Sequence, residues 1–560
     1  MTTGRFYQDP PQLGNTYQGD PLLQQYLRRA FPQEVYNELS PDLVRFGQRV
    51  VSDVLTMAES ATAQEPKLTQ FDAWGRRIDA ITVAPGWAAL KEFSAEEGLV
   101  AIGYERNDGA LSRLHQFAKL YLFNPSSAVY TCPLAMTDGA ARLLELGTNT
   151  TLKRGAFRRL TTRDPSRFWT SGQWMTERSG GSDVSGTETV AKSDGDQFIL
   201  HGTKWFTSAT TSEMAITLAR VEGDSKLSAF YLETQPADGS RNGIQVHRLK
   251  DKLGTRALPT AELSLLGTRA TLLGDRGRGV ATIANLINVT RLYNAVCAAS
   301  GMRRCMALLR DYASRRRVFG KRLQDQPLHI ETLARLEVET QGALHLVFHC
   351  ITLLGKDECG TASEDERAIL RLLTPLAKLY TAKQYVAVAS ETLEGFGGAG
   401  YIENTGLPAL LRDAQVLSIW EGTTNVLSLD ALRAMEKNQA LDPLIGLIAD
   451  QVRPLEDAEL QEAGKRIRSL AIGIPDAINR AAQLGTEARQ SMARDVAFAL
   501  SQATIGALML NHAQWALDEE DDDSPAIAAI RWCKKPSPLS ETHDQTYQKD
   551  SLRLAFGAKP

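Results

Sequence analysis

Paired cysteines are what this chain most plainly lacks. Its six cysteines, Cys132, Cys297, Cys305, Cys350, Cys359 and Cys533, fall at irregular spacings with no C-x-x-C pair. That pattern argues against a disulfide framework or a zinc site, and for small packing residues in a reducing compartment. Histidine is sparse as well: of eight, none joins an H-E-x-x-H constellation. His345 and His349 sit four apart on an expected helix but lack an acidic third ligand nearby in sequence, so packing is the favoured reading and no metal is expected. Neither sign of charge is in excess, with a formal net charge of −3, and nothing in that balance points to nucleic acid. No continuous apolar run approaches the ~20 residues that span a bilayer, so no membrane partner is expected. The start carries no apolar h-region and the end is not of the S-K-L type. A cytoplasmic location is the default expectation, with mitochondrial and peroxisomal locations left open.

What is present is the composition expected of a soluble globular protein of several domains, 43% hydrophobic and 23% charged over 560 residues. The texture changes three times. Residues 1–165 mix Pro-rich loops with helical stretches such as Pro41 to Val51. Residues 166–275 turn strand-like: Thr187 to Ser193 and Gln197 to Gly202 flank an Asp-Gly-Asp turn, and Ser228 to Glu233 follows. Helical periodicity returns over 276–440. There Val296, Ala299, Met302, Met306, Leu309 and Ala313 form an apolar stripe, with Arg303, Arg304, Arg310 and Asp311 expected to face elsewhere. Two long helices are expected at 329–355 and 364–394, the second kinked at Pro375. A helical tail occupies 441–560, and its run Asp518 to Asp523 reads as a solvated acidic loop. The basic stretch Lys153, Arg154, Arg158, Arg159, Arg163 and Arg167 reads as a solvated helix face, with attraction of a polyanion as the alternative.

Four segments carry chemistry. Ile419-Trp420-Glu421-Gly422-Thr423-Thr424-Asn425 fixes one carboxylate on a turn beside hydroxyl and amide donors. Met175-Thr176-Glu177-Arg178-Ser179-Gly180-Gly181-Ser182-Asp183 is a Gly-rich turn that lets backbone donors approach an anionic or carbonyl-rich ligand. Lys204-Trp205-Phe206-Thr207-Ser208 offers an indole and a hydroxyl, and Arg316-Arg317-Val318-Phe319-Gly320-Lys321 offers a guanidinium fork. A fifth, Gly395-Phe396-Gly397-Gly398-Ala399-Gly400, satisfies G-x-G-x-x-G. It follows residues 382–394, which read as helix, whereas a dinucleotide fingerprint follows a strand.

In this order and at these distances the segments resemble those of acyl-CoA dehydrogenases. Phe71 to Asp79, Trp87, Glu97 to Glu105 and Leu411 to Gln415 look like the AidB-like branch of that family, as does the length of the tail. The resemblance covers roughly residues 65–440. It implies an α+β fold: an N-terminal mainly helical domain (1–165), a small middle β-barrel (166–275), a C-terminal four-helix bundle for FAD and substrate (276–440) and an extra C-terminal helical domain (441–560). It implies FAD as cofactor, with Met175, Thr176, Ser182, Trp205, Thr207, Thr423 and Asn425 around it. Arg316 and Phe319, with Gly397 and Gly398 of the G-G-x-G-[FY] loop, would reach the FAD of a neighbouring subunit in a homotetramer built as a dimer of dimers. Glu394 stands where the family usually carries glutamine. Ser182, Arg291 and Gly422 would meet the acyl-CoA substrate.

The implied reaction is α,β-dehydrogenation of an acyl-CoA thioester with Glu421 as general base. A carboxylate buried beside an acyl chain is expected to have its pKa raised by desolvation. The acceptor would be an electron-transfer flavoprotein. An oxidase that hands electrons to O2, and a flavin-containing protein that sequesters acyl-CoA or protects DNA with little turnover, are the competing readings. The tail speaks against DNA: residues 441–560 hold 13 Lys+Arg against 18 Asp+Glu, a poor footprint for a polyanion. Tight, salt-sensitive duplex binding is therefore expected to be absent, and a mobility-shift titration at low and then raised salt checks it.

Overall fold

The computed structural model describes residues 9–235, 241–539 and 543–556. By its internal packing the chain divides into two compact units, Arg45–Cys297 and Met1–Val44 with Ala298–Pro560.

The unit Arg45–Cys297 joins short helices to a barrel. A hairpin of β1 (Lys67–Phe71) and β2 (Arg77–Thr82) lies in the N-terminal region, which the sequence reading took as helix and loop. Strands β3 (Ser171–Trp174), β4 (Val190–Asp194), β5 (Gln197–Ser208), β6 (Met214–Val221), β7 (Leu227–Glu233), β8 (Ile244–Leu249) and β9 (Thr260–Leu273) form one sheet. Its order β6-β4-β5-β9-β7 closes because β7 also pairs with β6, while β3 extends β6 and β8 extends β9. Closure leaves few open edges. Both faces of β6 are buried, and its residues alternate between two cores. Ala215 and Ala219 join the cluster of Trp174, Leu200, Phe230 and Leu263. Met214, Ile216 and Leu218 join a second cluster with Ala140, Leu144, Leu160 and Met175. A strand buried on both sides reads as an unbroken apolar run, which is why its alternation is invisible in the sequence.

Several residues of the branch-like segments turn out to be framework. Glu97 is buried and accepts from Arg45 at 2.7 Å, from Lys119 at 2.8 Å and from Arg49. Burial opposes its ionisation, yet these cations hold its carboxyl down to about 2. Asp79 accepts from Arg77 at 2.9 Å and from the Val246 amide at 3.0 Å, tying the hairpin to β8.

The second unit is helical. Pro327–Glu358, Glu364–Gly395, Thr424–Asn438 and the part of Ala284–Arg315 beyond Ala298 make the four-helix bundle. Helix Glu364–Gly395 starts at a capping box, with the Glu366 amide donating to Ser363 Oγ at 3.1 Å and the Ser363 amide to the Glu366 carboxylate at 2.9 Å. It runs unbroken through Pro375. The stripe Val296 to Ala313 is buried as expected, but Arg303 and Arg304 do not face water. Arg303 pairs with Glu337 at 2.8 Å and Asp20 at 3.2 Å, and burial lowers the Arg304 guanidinium to about 10. Between Leu292 and Met306 every residue of this helix is buried, so the charges there report pairing and not exposure.

The tail helices Leu441–Val452, Ala458–Gln483, Ala493–Glu520 and Ser524–Cys533 pack in the same unit. At Gly342 they lie close against the bundle: a Cβ there would lie 2.6 Å from the Trp532 ring and 2.9 Å from Ile505. The buried Trp532 indole donates to the Gln502 carbonyl at 3.0 Å. The acidic run is not simply solvated, since Glu520 takes a two-pronged bond from Arg28, both at 2.7 Å, and Asp522 accepts from Gln25 at 2.8 Å. Helix Ala493–Glu520 is long and apolar enough to cross a membrane by composition, but 83% of its most apolar window is buried inside the protein. A search for uninterrupted apolar runs passes over it.

His345 packs against Tyr26 at 5.7 Å and His512 at 4.7 Å between ring centroids. Neither ring nitrogen of His512 has a hydrogen-bond partner. Burial, with Arg29 nearby, pushes His512 down to about 3; burial also lowers His349 to about 4 and holds His345 well below the ordinary range. Depressed values mean that the folded chain refuses protons which the unfolded chain accepts below about pH 6.5, so stability falls as pH falls through that window. For His512 alone the loss between pH 7 and 5 is about 2 kcal/mol. Urea denaturation should show this slope, and His512→Leu should flatten it.

Candidate active site

In the barrel unit the residues expected from the sequence to line a cofactor gather where β3 ends and β5 bulges. The register of β5 against β9 shifts between Lys204 and Thr207, placing the irregularity at Trp205 and Phe206. A bulge of this kind re-aims side chains. The Trp205 amide donates to the Thr176 carbonyl at 2.9 Å, stitching the two motif segments together. Trp205 is half-buried, with the Lys250 ammonium 3.8 Å from its ring centroid; Lys250 in turn donates to Glu262 at 2.6 Å. Gly181 leaves no room for a side chain, because a Cβ would meet the Thr176 hydroxyl at 2.7 Å. Ser182 is exposed one residue further on. Met175 spends its side chain on the core. Thr207 is fully buried, and its hydroxyl donates to the Ala261 carbonyl at 2.8 Å. Arg291 lies part-exposed on helix Ala284–Arg315.

Beneath this surface is a charge pair to which the sequence reading gave no role. Glu177 accepts from Lys204 Nζ at 2.7 Å and from the Glu188 amide at 2.6 Å, and also takes the Thr189 hydroxyl. Lys204 also donates to the Leu218 carbonyl at 3.0 Å. Burial would raise the Glu177 carboxyl, but Lys204 and these donors hold it below the usual carboxylate range; burial lowers Lys204. The sequence signal for the pair is an acid directly after Thr176 and a base directly before Trp205.

In the helical unit Glu421 and Gly422 form a turn ahead of helix Thr424–Asn438, with φ of 56° and 104°. A left-handed backbone is uncommon for a residue other than glycine and is held only by its surroundings. Leu427 packs under Gly422, where a Cβ would sit 3.0 Å from its methyl carbon. Thr423 is the N-cap but its side chain makes no cap bond. Arg317–Val318 and Lys321–Arg322 form a two-residue hairpin whose turn, Phe319-Gly320, has φ of 49° and 78°, the backbone that favours a tight hairpin. Phe319 is 99% exposed. The chain around Arg316 lies beside the glycine loop, because Tyr312 packs on Phe396 with centroids 4.5 Å apart. The glycines follow a helix, as read from the sequence, and at Gly397 and Gly398 an added Cβ would meet only open space.

The donors of each unit, taken separately, have the chemistry a flavin nucleotide needs. In the barrel unit the hydroxyls of Thr176 and Ser182 are left without a protein partner among the described residues and a half-buried indole lies at the β5 bulge; in the helical unit the Thr423 hydroxyl and the Asn425 amide are left likewise, and the glycine loop is open. Among the described residues no group of three or more His, Cys, Asp or Glu is placed to hold a metal.

Sequence families match the chain along most of its length. These are the adaptive response protein AidB N-terminal domain over residues 8–164, the acyl-CoA dehydrogenase middle domain over 172–267, the acyl-CoA dehydrogenase C-terminal domain over 277–436, and an acyl-CoA dehydrogenase 11 C-terminal domain-like family over 446–554. The chain belongs to the acyl-CoA dehydrogenase family, in its AidB-like branch, and is an FAD-dependent acyl-CoA dehydrogenase. Among its relatives, acyl-CoA dehydrogenase family member 11 of Caenorhabditis elegans is 45% identical over 95% of this chain and 89% of the relative. The putative acyl-CoA dehydrogenase AidB of Escherichia coli is 30% identical over 88% of this chain and 87% of its own length. The crystal structure of ACDH-11 from C. elegans in complex with C11-CoA superposes with a TM-score of 0.95 at 42% identity, covering 99% of this chain and 97% of that one.

Removing Lys204 alone leaves a buried carboxylate unpaired, which costs about 3–5 kcal/mol. Lys204→Met should therefore destabilise the protein by that order and loosen its FAD. Combining it with Glu177→Leu should restore part of the stability. Urea denaturation and flavin absorbance after gel filtration measure both.

Proposed function

We propose that this enzyme oxidises a saturated acyl-CoA between Cα and Cβ, with Glu421 removing the α-proton. The observation that carries the reading is the Glu421-Gly422 turn itself. It is the segment that matches the family's base, it holds a carboxylate in strained backbone at the head of a helix, and it sets Thr423 and Asn425 beside it with unused polar groups. A relative in complex with C11-CoA supports an acyl-CoA as the ligand here. FAD supplies the hydride acceptor that no side chain can provide.

The chain's own residues do the rest. Glu421 takes the proton as the β-hydrogen leaves with its electron pair, so the substrate loses two hydrogens and gains a double bond. The backbone N–H of Glu421 helps hold the thioester oxygen where charge develops. By the family match Thr176, Ser182, Trp205, Thr423 and Asn425 are the residues for the flavin, with Met175 contributing main chain and Thr207, its hydroxyl spent on Ala261, bracing the β5 bulge; Arg291, Ser182 and Gly422 are those for the thioester and CoA. Arg316, Phe319, Gly397 and Gly398 serve a neighbouring subunit's FAD in a tetramer. The full exposure of Phe319, and of Tyr401 at 88%, is what a subunit contact would cover. The electrons pass on to an electron-transfer flavoprotein.

Glu421→Gln keeps size and hydrogen bonding while removing the proton acceptor. Anaerobic stopped-flow reduction by acyl-CoAs of graded chain length should slow by roughly 10²–10⁴-fold, with FAD content and acyl-CoA affinity little changed. Near-wild-type bleaching in the variant would remove Glu421 from the role. Rapid reoxidation of the reduced wild type in air, with peroxide formed, would favour the oxidase reading.

A further inference from the structure

Lys378 is a lysine where the helix pattern asks for an apolar residue. It lies in Leu372-Leu373-Thr374-Pro375-Leu376-Ala377-Lys378-Leu379 of helix Glu364–Gly395, and it is fully buried. An ammonium is costly to bury and stays buried only where its donors are used. One donor goes to the main-chain carbonyl of Gly422 at 2.5 Å, across 44 residues of sequence. Seven residues earlier, two turns back on the same face, Arg371 pairs with Asp430 at 2.7 Å. One helix face therefore grips helix Thr424–Asn438 at Asp430 and the turn before it at Gly422.

The grip at Gly422 is on backbone, so it sets dihedral angles regardless of which side chains the turn carries. Glu421, immediately before, has a φ of 56°, a conformation that side-chain-bearing residues keep only when their neighbours hold them in it. Leu427 also packs against the turn at Gly422.

We propose that Lys378 is a positioning residue for the reaction: by clamping the Gly422 carbonyl it keeps Glu421 in left-handed backbone, and so aims both its carboxylate and its N–H. This rests on the assignment of Glu421 as base. The role of Lys378 is exerted through the turn, by its bond to the Gly422 carbonyl.

The test reads the turn separately from turnover. Protein grown with 5-fluorotryptophan carries eight reporters, and the ¹⁹F line of Trp420, next to Glu421, is assigned by Trp420→Phe. In Lys378→Met that line should broaden or split while the other seven hold. Lys378→Arg, which keeps a cationic donor, should restore a single line. With undecanoyl-CoA, stopped-flow flavin reduction in Lys378→Met should slow by at least about tenfold at unchanged FAD content. Ligand affinity should stay within about twofold, with a larger isotope effect from α-deuterated substrate and partial rescue in Lys378→Arg. Lys378→Gln, too short to reach Gly422, carries the same expectation should the methionine variant lose its fold. An unchanged Trp420 line, or reduction at the wild-type rate in the folded variant, overturns the proposal. Failure of the base assignment shows differently, as wild-type reduction that survives Glu421→Gln, and leaves the fluorine result standing.

Discussion

Much of the site hangs on a carboxylate and an ammonium buried together. Glu177 and Lys204 join the loop after β3 to the strand that carries Trp205, and their immediate sequence neighbours make the Trp205 amide bond to the Thr176 carbonyl. Had the same two segments been joined by apolar contact, their relative position would be soft, because dispersion is non-directional. A hydrogen-bonded ion pair in a dry interior has one good geometry, and departures from it leave a charge unsatisfied. The barrel supplies the stiff frame against which that geometry is read.

The helical unit uses the same device at a different scale. Two of its buried cations, Arg303 and Lys378, sit on long helices, and each is spent on a named acceptor: Glu337 and Asp20 for the first, the Gly422 carbonyl for the second. Such contacts add little net stability, since desolvation offsets most of the gain. What they add is registration between helices that apolar packing alone would let slide.

The sequence was most informative where chemistry demands particular residue types in a particular order. The fold class, the order of helical, barrel and bundle regions, and helices Pro327–Glu358 and Glu364–Gly395 could be read within a few residues. So could the status of the glycine run after a helix. Beyond that, the reading ran out for identifiable physical reasons. Strand β6 alternates between two cores, so its period of two is masked by apolar residues on both faces. The hairpin of β1 and β2 is short and polar. Arg303 and Arg304 look like a solvated face in a helical wheel, yet the wheel has no knowledge of a partner such as Glu337 lying beyond it in space. The run from Asp518 to Asp523 was misread for the same reason: Arg28 and Gln25, which engage it, are nearly five hundred residues away. Lys378 was visible all along as a charge in an apolar helix, and its acceptor was not.

That last distance bears on how the protein is made. Residues Met1–Val44 belong to the unit completed by Ala298–Pro560, and Arg28 meets Glu520 across 492 residues of chain. At ribosomal speeds of about 5–20 residues per second, the first helices wait roughly half a minute to a minute and a half for their partner. Meanwhile the unit Arg45–Cys297 has every residue it needs and can close its barrel first. The amphipathic helix Pro21–Ala30, with Leu22, Leu23 and Leu27 on its buried face, is left without its packing surface throughout that interval. Its apolar face stays uncovered until the later helices emerge, so the order of synthesis is opposed to the order of assembly.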